Sequence, residues 1–451
     1  MLSVTVSTLA DWLARIEQLH PENIELGLDR IGCVRRQLGL PKPATTVISI
    51  AGTNGKGSVI RALQVLLEHA APGAAAPRAG VYTSPHLLRF NERICIGGQS
   101  VCDATLVQAF ERVERARCAA GESAGAELKL TYFEFTTLAA LCIFTDAALD
   151  YVLLEVGLGG RLDAVNLVDA DLALITNIAL DHEHWLGSTR EAIGAEKAGI
   201  LRPGADCVIG DPDPPRSLFD AVQTDAAQAY WAAGEHTPVA GHKHSLLATD
   251  SGFEWFGVDS SGNAIRYAGL PEPQLAAENW STAMQAAALL DALPDRAVCA
   301  ELMASVSITG RFSSHRYRGK PVQLDVAHNP AAVARLAQML QDQPGRPIYM
   351  IFAALADKRV DAMLQQLIPL VDHWIFPQLR NCPRALDADK MLQNFHAQGG
   401  NAKAGEAGGS VQDALQKLSA GRPDGACLCV SGSFFTVAEA LELIEREQTF
   451  E

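Results

Sequence analysis

Ile48-Ser49-Ile50-Ala51-Gly52-Thr53-Asn54-Gly55-Lys56-Gly57-Ser58 joins a β-branched apolar segment to a glycine-rich turn. The apolar segment begins at Thr45. After the turn, Val59, Ile60, Leu63, Leu66 and Leu67 recur at helical spacing. Strand, glycine turn and helix together make a phosphate cradle. Glycines let backbone N–H groups point inward, the helix N-terminus adds partial positive charge, and Lys56 adds a full one. The spacing departs from the usual G-x-x-x-x-G-K-[ST] pattern. Ile50 stands where the first glycine would be, and Gly57 separates Lys56 from the hydroxyl of Ser58. A nucleoside triphosphate is the expected ligand.

Working outward, apolar runs alternate with helical patterns. Tyr151 to Val156 and Leu172 to Thr176 are continuously apolar, as strands buried on both faces of a parallel sheet are. Val81-Tyr82 is a shorter strand. Helical patterns occupy Leu106 to Arg117 and Glu134 to Leu149, and Ser7-Thr8 caps an amphipathic helix from Leu9 to Leu19. Ala71 to Gly80, Ala119 to Ala126 and Gly399 to Gly409 read as loops, from their small and turn-forming residues. Asp211 to Ser261 reads as irregular, with short antiparallel strands. After Ser307 the alternation restarts. Strands are expected at Val322–Val326, Ile348–Ala353, Trp374–Phe376 and Cys427–Val430. Helices are expected at Ala331–Leu340, Val360–Leu367 and Val437–Ile444. The fold class is therefore α/β, a mainly parallel N-terminal nucleotide-binding domain (1–309) followed by a smaller Rossmann-like domain (310–451), with a site expected between them.

Composition narrows the function. The 451 residues carry a formal net charge of −15. That excess opposes binding to nucleic acid or an anionic membrane. No apolar stretch approaches a bilayer span and no signal peptide is evident. Ten cysteines without a C-x-x-C pair read as free thiols in a reducing cytoplasm, not as zinc ligands.

Further motifs sit at strand ends, where open α/β sheets bind ligands. Glu155, in Leu153-Leu154-Glu155-Val156-Gly157-Leu158-Gly159-Gly160-Arg161-Leu162-Asp163, is placed to hold Mg²⁺ on nucleotide phosphates. Tyr82-Thr83-Ser84-Pro85-His86 offers a hydroxyl beside a rigid proline. Asp181 and His182 follow another strand, and Asp325 and His328 lie at a strand end of the second domain. Lys197, in Glu196-Lys197-Ala198-Gly199, reads on its own as a surface lysine.

Taken in order, these motifs resemble the Mur ligase superfamily, and within it the folylpolyglutamate synthase/dihydrofolate synthase family. The resemblance rests on Gly52–Ser58, Thr83–His86, Glu155–Asp163, Leu180–His182, Glu196–Gly199, Gly310–Phe312 and Asp325–Pro330, and it spans nearly the whole chain. It treats the Gly-Lys-Gly-Ser spacing as a family feature. It implies ATP contacts from Gly52, Thr53, Asn54, Gly55, Lys56, Gly57, Ser58, Asn279, Arg311 and Asp325. Glu278-Asn279-Trp280 departs from the family's His-Asn pair. Ser84, Glu155 and His182 would hold two Mg²⁺ ions, with Ser58 on phosphate. Lys197 would be carbamylated, and His328 would orient phosphate or glutamate. A pterin site is implied at Gly27, Leu28, Asp29, Arg30, Thr131, Tyr132, Phe133, Glu134, Leu162, Asp163 and Ala164, with Phe133 stacking on the ring. Lys56, Lys197 and His328 are the expected catalytic residues.

The implied activity, part of folate biosynthesis and one-carbon metabolism, is ATP-driven amide formation. L-glutamate would be joined to dihydropteroate and to reduced folates through an acyl phosphate, by a cytoplasmic monomer. The alternatives are a monofunctional folylpolyglutamate synthase and another Mur-type amino-acid ligase. A peptidoglycan-type ligase would carry a UDP-sugar-binding domain before Gly52, which is not evident. A nucleotide-binding switch is the reading from outside the ligases.

Overall fold

The computed structural model describes residues 8–22, 24–70, 77–238, 241–343, 347–380, 382–423 and 425–448. These fall into two compact units, one within 1–86 and 90–306, the other within 87–89 and 307–451. The first six residues of the expected loop at Ala71 to Gly80, and Ser7, lie outside the described residues.

The first unit is built on β1 (Ala44–Ala51), β2 (Ala79–Tyr82), β3 (Ile94–Ile96), β4 (Gln99–Ser100), β5 (Leu149–Glu155), β6 (Leu172–Ile175), β7 (Asp206–Ile209), β8 (Ala229–Ala232), β9 (His242–Thr249), β10 (Gly252–Val258) and β11 (Ala264–Leu270). Their order is β11-β10-β9-β8-β7-β6-β1-β5-β2-β3-β4. Pairing from β9 to β2 is parallel, and both edges are antiparallel. Val47 to Ala51, Val152 to Glu155 and all of β6 are buried. Helices cover both faces of such strands, so the sequence runs apolar instead of alternating. The helix Lys56–Glu68 is buried at every position from Ser58 to Leu67 except Arg61, because it packs on β1, β2 and β5 and also on the helix Ala277–Leu289. A helix enclosed this way is apolar around most of its circumference.

Register brings the strand ends together. Ile50 pairs with Glu155, Tyr82 with Leu154 and Ala51 with Ile175. Parallel strands in this register deliver Gly52, Val156, Thr83 and Thr176 to one edge of the sheet.

The second unit contains β12 (Ser313–Tyr317), β13 (Lys320–Leu324), β14 (Ile348–Phe352), β15 (His373–Phe376), β16 (Gly405–Ala407) and β17 (Cys427–Ser431), ordered β12-β13-β17-β14-β15-β16. Only β12 runs antiparallel to its neighbour. Val322, Ile351, Ile375, Val430 and Val437 share one core, and Val333, Met350, Phe352, Trp374 and Phe395 share another.

Several expected elements differ, and packing explains most of the differences. Ala119 to Ala124 is not a loop but the last part of the helix Asp103–Ala124, ended by Gly125 in the left-handed region. Ala120 and Gly121 are buried there. Gly80 lies inside β2, where a Cβ would come 2.5 Å from Leu149 Cδ1. Gly405 begins β16, where a Cβ would come 2.7 Å from Phe395 Cε1. The small residues at these positions permit close approach instead of marking turns. The helix expected to run to Leu149 stops at Asp146, and Leu149 begins β5. The stretch from Asp211 holds a regular helix, Arg216–Asp225, before its strands.

Candidate active site

The turn after β1 is shaped by two glycines. Gly52 has φ +147°, and a Cβ there would come 1.8 Å from Thr176 Oγ1. Gly55 has φ +87°, and a Cβ would come 2.5 Å from Asn279 Oδ1. Asn279, whose sequence context fits the family pattern poorly, thus lies directly against the turn. The β6 end braces the turn from the other side. Thr53 N–H donates to Asn177 O (2.8 Å), Asn54 N–H to Asn177 Oδ1 (2.8 Å) and Thr176 Oγ1 to Asn54 O (2.6 Å). Gly55 caps the helix Lys56–Glu68 without a side chain. A Cβ on Gly57 would meet nothing within 4 Å. Packing within the chain therefore does not require that glycine, and it keeps the space beside Lys56 clear.

Two lysines converge on one carbonyl. Lys56 Nζ donates to Gly52 O at 3.0 Å and to Thr53 O at 3.3 Å. Lys197 Nζ donates to the same Gly52 O at 2.8 Å. Lys197 is 4% exposed, so it is not the surface lysine that its local sequence suggests. Burial pushes it down to about 7, helped by the charge on Lys56 and opposed by Asp181 and Asp163.

Interlocking glycines hold Lys197 in place. A Cβ on Gly160 would come 2.7 Å from Glu196 O, and one on Gly199 would come 2.3 Å from Arg161 Cβ. Arg161 N–H donates to Glu196 O (2.9 Å), and its guanidinium pairs with the Glu196 carboxylate (2.9 Å). The Gly159-Gly160-Arg161 and Lys197-Ala198-Gly199 motifs are therefore two halves of one contact.

Ser84 and Glu155 meet across β2 and β5, with Ser84 N–H donating to Glu155 Oε2 at 3.0 Å. Glu155 is buried. His182 is exposed, with φ +51°, and caps the short helix Glu183–Leu186. Among the described residues, no three His, Cys, Asp or Glu side chains are grouped to hold a metal unaided. None of the ten cysteines is joined in a disulfide.

Beside this edge lies a cavity of about 270 Å³. Gly27, Thr131, Tyr132, Phe133, Glu134, Leu162, Asp163 and Ala164 line it, as do Ser84, Pro85 and Arg93. Thr131 and Glu134 form a capping box that starts the helix Tyr132–Asp146. Phe133 stacks on Tyr82 at 5.8 Å. Asp163 accepts from Leu158 N–H (2.8 Å) and Val165 N–H (3.0 Å), and burial raises it to about 6. Leu28, Asp29 and Arg30 are set back from the cavity wall. Leu28 caps the helix Asp29–Leu38, exposed Asp29 begins it, and Arg30 joins Glu25 to Glu134. Sequence reading missed Arg93, and it quoted His86 and Thr176 within motifs without giving them a role. Thr176 carries the signal that could have found it, since it ends a strand beside β1.

In the second unit, Asp325 is buried and accepts from Phe312 N–H (2.9 Å) and Ala327 N–H (2.8 Å). Burial raises its pKa, against Arg311. Arg311 lies over Phe434 at 5.9 Å, and His328 Nδ1 donates to Val326 O at 2.9 Å.

Residues 310–434 match the Mur ligase glutamate ligase domain family. The dihydrofolate synthase/folylpolyglutamate synthase of Escherichia coli is 36% identical, over 98% of this chain and 97% of its own. The solved E. coli FolC in complex with DHPP and ADP has TM-score 0.84 and 36% identity, covering 98% of this chain and 99% of that one. A Yersinia pestis bifunctional enzyme complexed with AMPPNP and Mn has TM-score 0.83 and 37% identity, covering 97% and 98%. Strand-end motifs, two convergent lysines and an adjoining cavity thus sit in a chain that belongs to the dihydrofolate synthase/folylpolyglutamate synthase family of Mur-type ligases.

Proposed function

We propose that the chain is an ATP-dependent ligase that joins L-glutamate to dihydropteroate and to reduced folates. One observation carries this reading: Lys56 and Lys197 share the Gly52 carbonyl and feel the charge of Asp163, a residue of the cavity wall. A phosphate cradle and a pocket for an organic acceptor are therefore neighbours.

The turn's N–H groups, the start of the helix Lys56–Glu68 and Lys56 itself bind the ATP phosphates, in the room that Gly57 leaves. Asn279, Arg311 and Asp325 contribute further ATP contacts. The pterin ring lies in the cavity against Phe133, with the substrate carboxylate towards Lys56. That carboxylate attacks the γ-phosphorus, the bond to the ADP oxygen breaks, and an acyl phosphate forms. The glutamate amine then attacks the acyl carbon, phosphate leaves, and the amine sheds a proton. Lys56 offsets charge that develops on the transferring phosphoryl group. His328 orients phosphate or glutamate.

A divalent cation fits the donors present. The Ser84 hydroxyl and the buried Glu155 carboxylate are hard oxygen ligands of the kind Mg²⁺ takes, with His182 for a second ion. Such an ion, when bound, screens the phosphate charge. Lys197 is the carbamylation site: its neutral amine, abundant near pH 7 because of burial, adds to the carbon of CO₂ and loses a proton. The resulting carbamate supplies an anionic oxygen donor beside Ser84 and Glu155. The enzyme works as a cytoplasmic monomer. Among the described residues, no helix is long and apolar enough to cross a membrane.

The test is ADP release measured with dihydropteroate, glutamate, both or neither, and repeated with tetrahydrofolate. ADP release that depends on both partners is expected with either acceptor. Release that needs neither would overturn the ligase reading. Activity with tetrahydrofolate alone would restrict the enzyme to polyglutamylation.

A further inference from the structure

The charged groups of the cavity wall are not equally committed. Glu25 and Glu134 are both paired with Arg30. Both oxygens of Asp163 accept backbone N–H groups. Arg93 differs. Its Nε donates to His86 Nδ1 at 2.8 Å, and its guanidinium lies over Phe90 at 5.6 Å and Tyr132 at 5.5 Å. No carboxylate is paired with it among the described residues.

The arrangement fixes the cation without neutralising it. Thr83 N–H donates to Arg93 O (2.9 Å), which ties the backbone of Arg93 next to Ser84. The Nε–H of Arg93 is directed at His86 Nδ1, so that ring nitrogen serves as the acceptor. Arg93 lines the pocket, and its one side-chain hydrogen bond among the described residues is through Nε, which leaves the terminal guanidinium nitrogens as donors. A cation in such a place gains most from an oxygen acceptor brought by the ligand.

Building on the pterin-pocket reading above, we infer that Arg93 binds an oxygen acceptor of the pterin-bearing substrate, and that His86 positions Arg93 for it. The acceptor is either the ring carbonyl or the benzoate carboxylate, two oxygens of one ligand.

Equilibrium binding of dihydropteroate and, separately, of ATP tests this on the full chain. Arg93→Met keeps the stem over Phe90 and Tyr132 but removes the donors. It should weaken dihydropteroate binding on the order of 10- to 100-fold, as loss of a hydrogen bond to a charged group does, and leave ATP binding unchanged. Arg93→Lys is the companion variant if the first does not fold, and it should lose part of the affinity. His86→Ala should weaken binding about 5-fold, as loss of one ordinary hydrogen bond does, and His86→Asn, whose Oδ1 can take the place of Nδ1, should restore it. A purely structural role would lower the melting temperature of His86→Ala without this rescue of affinity. Repeating the Arg93→Met comparison with the amide of pteroate names the oxygen: a retained penalty places Arg93 on the ring carbonyl, and an abolished one on the carboxylate. Equal dihydropteroate affinity in wild type and Arg93→Met overturns the inference and leaves the pocket reading intact. Failure of the wild type to bind dihydropteroate while still binding ATP overturns the pocket reading itself.

Discussion

The two sheets end in similar signatures put to different uses. At the carboxyl edge of the first sheet, two amines crowd one carbonyl, and a buried lysine is held near neutrality. At the carboxyl edge of the second, both oxygens of Asp325 accept backbone N–H groups, and Asn329 caps the helix Pro330–Gln341. The first edge holds like charges together at an energetic cost. The second turns Asp325 and Asn329 towards its own backbone, while burial raises the Asp325 carboxyl against the charge of Arg311. Like-charge crowding at a strand end, beyond burial alone, marks the stronger candidate for chemistry.

The sharpest way to break this contrast is Lys197→Ala. Removing a group that positions charge at the reacting centre should lower dihydropteroate- and glutamate-dependent ADP release by on the order of 100- to 1,000-fold. A short carboxylic acid such as acetate should restore part of it by standing in for the oxygen of the proposed carbamate. Unchanged activity would remove Lys197 from the mechanism. In the second unit, Asp325→Asn turns an amide NH₂ towards one of two backbone N–H donors. The expected loss is about 1–3 kcal/mol of stability, read from urea unfolding. An unaltered midpoint would mean that the second edge is no better satisfied than the first.

The smallest effect lies where β9 meets β7 and the helix Ala277–Leu289. Buried His244 is wedged between Ser281 Oγ (2.8 Å) and Ile209 O (3.3 Å), and burial lowers it from 6.5 to about 4. The folded chain therefore takes up this proton later than the unfolded chain does. Its contribution is complete above pH 6.5 and fades as pH falls towards 4. Between pH 7 and 5.5 the loss should be about 1 kcal/mol. His244→Gln should flatten that slope in pH-dependent thermal melts, and an identical slope in the variant would assign the acid sensitivity elsewhere.

Much of this was legible in the sequence, because the turn at Gly52 and the restart after Ser307 are local patterns. Cavity residues Thr131 to Glu134 and Leu162 to Ala164 were also legible, through family motifs. What stayed hidden depends on register and packing. Ser84 reaches Glu155 because Tyr82 pairs with Leu154, a partnership between strands far apart in the chain. Arg93 and His86 carry no periodic signal, since they meet only after the chain turns at Phe90–Arg93. Gly80, Gly121 and Gly405 misled because a glycine that admits a neighbour and a glycine that frees a turn are the same letter.

The paired glycines at 160 and 199 have a mechanical meaning. Gly160 faces the backbone of Glu196 and Lys197, and Gly199 faces Cβ, Cα and N of Arg161, so neither position has room for a side chain of its own. The loop that leads to Asp163 and the helix end that carries Lys197 are therefore packed without a spacer, and a side chain at either glycine would force the cavity wall and the buried amine apart.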